Sequence, residues 1–150
     1  MNFEEKTNWV YAVITGIVAG VYFSNVMSRV GEVPVTEIAY QKPLIIAIVA
    51  AVGLMILASI AVAIGTAVSA EIMGEGSVKD IDRKDERDIH ISRRGELVGY
   101  YVSSFGAVGV LAMTMLEYPY FWIANALYLS FVMAALVSSV VKIVAYRRGF

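Results

Sequence analysis

Asp82, Glu86 and His90 recur at every fourth position, which on a helix stacks two carboxylates and the chain's single imidazole along one face. Carboxylate oxygen and neutral imidazole nitrogen are both common metal donors, so the set is the chain's candidate for holding a divalent cation. Nothing beside it closes a coordination sphere, and the His-rich or Cys-rich spacing of a dedicated metal site is missing. The plainer reading is a solvated helix laced with ion pairs. Lys84 and Asp88 stand i,i+4, and Arg83 stands i,i+3 from both Asp80 and Glu86. Each such pair contributes roughly a few tenths of a kcal/mol.

These residues belong to an island of charge, Lys79–Glu96 (KDIDRKDERDIHISRRGE), in a sequence that is otherwise apolar. Arg83, Arg87, Arg93 and Arg94 are its candidate contacts with a partner or with lipid. Arg93 and Arg94 stand where the charged run gives way to an apolar one. At a membrane surface each basic residue there is worth about 1 kcal/mol with anionic headgroups.

The stretch Lys84–Val102, KDERDIHISRRGELVGYYV, resembles a group of small bacterial and archaeal membrane proteins of unknown function. In that group a D-E-R-D run, a basic pair and a helix with Tyr or Ser follow one another. The resemblance implies a four-span fold and a membrane location. It implies no activity and no site residue.

Four apolar runs flank the island in pairs, at about 9–27, 44–70, 97–116 and 121–141. Each reaches the length of about 20 residues that crosses a hydrocarbon core, and in lipid such runs must be helical. Hydrophobic content of 59% agrees. The fold expected is all-α: a polytopic, up-down-up-down bundle of four transmembrane helices forming one domain. The second run, at about 40 Å, exceeds the core, with Gly74 and Gly76 as its expected end. The 71–96 segment is expected to resume as a helix near Asp80 and run into the third span through Gly95.

Ten of the twelve Lys and Arg lie in the N-terminus, the 71–96 segment and the C-terminal tail, against two in the 28–42 segment. Positive residues mark the cytoplasmic side, so both termini and the charged segment are expected inside a prokaryotic plasma membrane. Met1–Asn8 carries two Glu and reads as a mature start rather than a cleavable signal.

Small residues recur every fourth position on each span: Ala12, Gly16, Gly20 and Ser24; Ala61, Gly65 and Ser69; Gly95, Gly99, Ser103 and Ala107; Ala126, Ser130, Ala134 and Ser138. In lipid, helices associate through close backbone approach and hydrogen bonds, so these stripes are expected seams. They could join helices of one chain, or join the chain to a second copy or another membrane protein. Asn25 and Asn125 are either interhelical hydrogen-bond formers or the rim of a small outward cavity. Tyr11–Val21 also echoes Tyr101–Leu111, as a parallel duplication would.

Several function classes are excluded. With no cysteine there is no disulfide or thiol chemistry, which removes the quinone-coupled disulfide formers. No Asp, Glu, Lys, Arg or His lies within a span, which weighs against proton relays, ion-coupled pumps and the small multidrug exporters with their embedded Glu. The spans hold no nucleophile–base pair, carboxylate dyad or metal triad, so no enzyme is expected. A net charge of −1 points to no nucleic-acid partner. The sequence reads as a non-enzymatic, cofactor-free membrane module that oligomerises or binds a partner and presents a charged cytoplasmic segment. A small permease or channel for a neutral or apolar solute is the alternative, since it needs no buried charge.

Overall fold

Four helices account for nearly all of residues 3–73 and 86–148, which the computed structural model describes: α1 (Phe3–Met27), α2 (Gln41–Met73), α3 (Glu86–Met115) and α4 (Tyr120–Arg148). All four are long and apolar enough to cross a membrane. The expected spans at 9–27, 44–70 and 121–141 fall inside α1, α2 and α4, and the third, 97–116, overruns α3 by one residue; each helix also runs past its span at one end or both. In α1 and α3 the surplus is mostly polar, at residues 3–8 and 86–96. α2, at 33 residues, is the longest, and Pro43 lies in its first turn, where a missing N–H breaks no helical bond. Asp80, Asp82, Arg83, Gly74 and Gly76 lie outside the described residues.

Neighbouring helices are antiparallel, and their order in space is α2, α1, α4, α3. α1 lies against α2 and α4, and α4 against α3. Among the described residues α2 has no extended contact with α3 or α4. Hence α2 and α3, consecutive in sequence, stand at opposite edges of an open row. This differs from a closed bundle, in which every helix would have two neighbours. The edge helices bury few residues and expose apolar side chains over most of their length, among them Ile46, Val49, Leu57, Phe105 and Leu111. Such surface is stable against lipid, where exposing Leu carries no hydrophobic penalty.

Seen along its axis, α1 buries Glu5, Asn8, Thr15, Ala19, Tyr22 and Val26. The 3,4 spacing is a heptad seam, the geometry of nearly antiparallel helix packing. Its far end feeds a cluster of Tyr22, Val26, Ile38, Ala47 and Phe121. Ile38 comes from the 28–40 connection, which turns back over the helix ends through Gly31 at φ +97°. Tyr40 meets Phe121 edge-on at 5.5 Å, and Tyr22 meets Tyr128 likewise at 5.1 Å. A buried aromatic cluster thus occupies one end of the molecule, and the charged residues of α1, α3 and α4, with Trp9 and Tyr146 beside them, the other.

The α3–α4 turn is short because α3 ends in a Schellman arrangement. Tyr118 N–H donates to the Met113 carbonyl at 3.1 Å and Glu117 N–H to the Thr114 carbonyl at 3.1 Å. Glu117 holds φ +57°, a conformation that usually falls to glycine. Pro119 then starts α4, its carbonyl accepting from Trp122 N–H at 2.9 Å.

Candidate functional site

The seam between α3 and α4 is built on glycine. A Cβ on Gly99 would stand 3.1 Å from Ser138 Cβ and 3.2 Å from the Ala134 carbonyl oxygen. A Cβ on Gly106 would overlap Ser130 at its Cβ, and one on Gly95 would overlap the aliphatic stem of Lys142. Ser130 and Ala134 are buried on the α4 side. Ser103 is half-buried, and its hydroxyl donates to the Tyr100 carbonyl of its own helix at 2.9 Å.

The glycines of α1 and α2 have different surroundings. Added Cβ atoms at Gly16, Gly20 and Gly65 would meet nothing within 4 Å. Gly16 and Gly20 lie on the exposed face of α1 with Val13, Ile17 and Val21. They therefore seat no helix of the same chain. In the Tyr11–Val21 echo, Gly16 corresponds to Gly106, which is pressed against Ser130. The matched positions thus have opposite environments.

At the aromatic end the Tyr22 hydroxyl donates to Asn125 Oδ1 at 2.9 Å, and Asn125 Nδ2 donates to the Phe121 carbonyl at 2.8 Å. Asn125 is 3% exposed, and this pair joins α1 to α4. Asn25 is on another face of α1, lining an apolar groove of about 400 Å³ with Pro43, Ile46 and Ala47 of α2. The two asparagines therefore do not rim one cavity. Tyr11 and Ser59 hydroxyls, 2.5 Å apart, join α1 to α2.

The charged end holds the densest polar network. Asp88, on the first turns of α3, is 7% exposed, and its carboxylate accepts a hydrogen bond from the Tyr146 hydroxyl of α4. Arg87 donates to the Tyr146 carbonyl at 3.4 Å. Arg147, itself exposed, reaches the buried Glu5 carboxylate at 3.8 Å while its guanidinium lies 5.4 Å from the centre of the Trp9 ring. Lys142 reaches Glu96 at 3.4 Å, and Ser92 donates to the same Glu96 oxygen at 2.9 Å. Asp88 and Glu5, taken this far from water, must be paired, because an unpartnered buried carboxylate would be costly. Among the described residues no buried side-chain nitrogen or oxygen lacks a hydrogen-bond partner.

Sequence reasoning treated the charged run as a solvated face and did not single out Glu5, Asn8 or Tyr146. The signal was present. Carried back from Tyr22 and Val26, the heptad of α1 passes through Glu5 and Asn8. Glu86 and His90 stand one turn apart on exposed α3, while Asp82 is outside the described residues. Among the described residues no group of three or more His, Asp or Glu side chains is placed to hold a metal ion. Arg87, His90 and Arg94 line a groove of about 490 Å³ with Ile91 and with Ala145 of α4. Arg93 is exposed and is not among the residues lining it.

The described residues thus bring together a glycine-seated α3–α4 seam, a knot of ion pairs and a basic groove. No family model, curated protein or solved structure matches this chain.

Proposed function

We propose that this protein is a non-catalytic membrane module that works by helix–helix association, a second copy or another membrane protein completing its open row. One contrast carries the reading. Where a glycine stripe meets a partner, at α3–α4, an added Cβ at Gly95, Gly99 or Gly106 would crowd α4, whereas Gly16 and Gly20 of α1 face open space. Small residues are enriched where transmembrane helices approach one another closely.

The charged end is the cytoplasmic end in this reading, both termini lie inside, and Lys79–Glu96 is offered to a cytoplasmic partner. The basic residues gathered there support that orientation in a prokaryotic plasma membrane, as does the resemblance of Lys84–Val102 to small four-span membrane proteins. Conduction of a neutral solute is less well supported. The hydroxyls of Ser24, Thr66, Ser103, Thr114 and Ser130 all donate to carbonyls of their own helices. Asn125 is satisfied by Tyr22 and Phe121.

Cross-linking in native membranes tests the proposal. Dimers or a heterologous adduct are expected, and both should weaken when Gly16 and Gly20 are replaced by Ile. Recovery of monomer alone, with no adduct, would sink it.

A further inference from the structure

We infer that the groove between the first turns of α3 and the last turns of α4 binds one anionic phospholipid, with its phosphodiester at Arg87, His90 and Arg94. The inference rests on the membrane placement of the helices and not on self-association.

Three observations converge. The first is the charge of the groove: three basic side chains border it, and the other lining residues are Ile91 and Ala145. Three carboxylates of the same helix flank it. Asp88 is buried against Tyr146, and Glu96 is held by Lys142 and Ser92. Glu86 is exposed at the start of the described helix.

The second is shape and chemistry. A groove of about 490 Å³ accommodates a phosphate and glycerol with room for the first methylenes. Guanidinium presents several N–H donors in a plane, matching the oxygens of a phosphodiester, and can serve more than one acceptor at once. Arg87 also donates to the Tyr146 carbonyl of α4, which ties it to the other helix of the groove.

The third separates a lipid from a free anion. Positions 87, 90, 94, 101, 105 and 108 fall on one stripe of a 3.6-residue helix. Below Arg94 that stripe is Tyr101, Phe105 and Val108, all exposed, with Phe105 at 83%. A basic cap followed directly by a bare apolar strip suits a molecule with an anionic head and hydrocarbon tails. A soluble phosphate would use the cap and leave the strip unexplained. Arg93, one position from Arg94, is off this stripe and should contribute little.

The full chain, purified and stripped of lipid in neutral detergent, can be offered phosphatidylglycerol or phosphatidylcholine and read by native mass spectrometry. One phosphatidylglycerol retained per chain, in preference to phosphatidylcholine, is expected. Arg87→Gln and Arg94→Gln should each weaken retention about fivefold, the usual effect of one basic residue at an anionic surface. Arg94→Lys should lose part of it, because an ammonium lacks the planar fork of donors, and Arg93→Gln should change it less than about twofold. If Arg87→Gln loosens the α3–α4 end, His90→Gln, an exposed site, provides the independent variant and should also weaken retention. Equal retention of both lipids, or equal damage from Arg93→Gln, overturns the inference. So does displacement of the lipid by millimolar inorganic phosphate, which would reassign the groove to a soluble anion. Because each mass gives lipid per chain in monomer and dimer alike, failure here is distinguishable from failure of self-association.

Discussion

Gly106 and Asn125 show how much a single position decides in a protein with no hydrophobic force between its helices. At Gly106 the obstacle to a methyl group is Ser130 at its Cβ, which cannot swing aside, whereas at Gly95 it is a flexible lysine stem. Gly106→Ala should therefore destabilise the α3–α4 hairpin by about 1–3 kcal/mol, and Gly95→Ala by clearly less. Adding Ser130→Gly to Gly106→Ala should recover most of the loss, as read by unfolding in mixed detergent micelles. At Asn125, truncation to Ala removes the acceptor of the Tyr22 hydroxyl. A cycle of Asn125→Ala and Tyr22→Phe should report a coupling of roughly 0.6 kcal/mol, rising toward about 1.7, the range of interhelical bonds in bilayers. Asp88→Ala should cost about 1–3 kcal/mol because it strands the Tyr146 hydroxyl. Glu86→Ala, two residues away and exposed, should stay within about 0.5 kcal/mol.

At the scale of the element, the α3–α4 hairpin is the tightest unit, with glycine on one side and small residues on the other. Its turn carries a built-in cost, since Glu117 occupies the left-handed conformation at about 1 kcal/mol. Glu117→Gly should stabilise the hairpin by an amount of that order, and Glu117→Val should weaken it, in the same unfolding measurement. The α1–α2 hairpin is looser. It is held by the aromatic cluster under Ile38 and by the Tyr11–Ser59 bond, with a groove left between the helices. Replacing Gly16 and Gly20 by Ala should leave the stability of an isolated chain nearly unchanged, because neither added methyl meets an obstacle. Loss of chain–chain cross-links in that variant would then report on a partner and not on the fold.

On the scale of the whole molecule, the basic residues gathered at one end are the basis of the proposed orientation. The chain has no cysteine, so single introduced thiols can be labelled without background. With an impermeant reagent outside intact cells, Glu32→Cys should label and Arg148→Cys should not. Labelling at Arg148→Cys would reverse the orientation and remove the cytoplasmic partner together with it. The open row also predicts that α2 and α3 will not cross-link within one chain at their mid-heights, although they follow one another in sequence.

The helices themselves were legible without any structure. Runs as long and apolar as Leu44–Ala70 have one stable form in lipid, and charge clustered outside them marks their ends. The tight seam is also written locally, in Gly95 and Gly99 on α3 and in Ser130 and Ala134 on α4. What no local pattern contains is which helix lies beside which. Gly16 and Gly106 sit in near-identical apolar surroundings along the chain, yet one is bare and the other is pressed against Ser130. In lipid any apolar face is as content against acyl chains as against a neighbour, so hydropathy does not choose between them. That choice falls to a few long-range contacts, Tyr22 with Asn125, Glu5 with Arg147 and Asp88 with Tyr146, and only the tertiary structure brings those residues together.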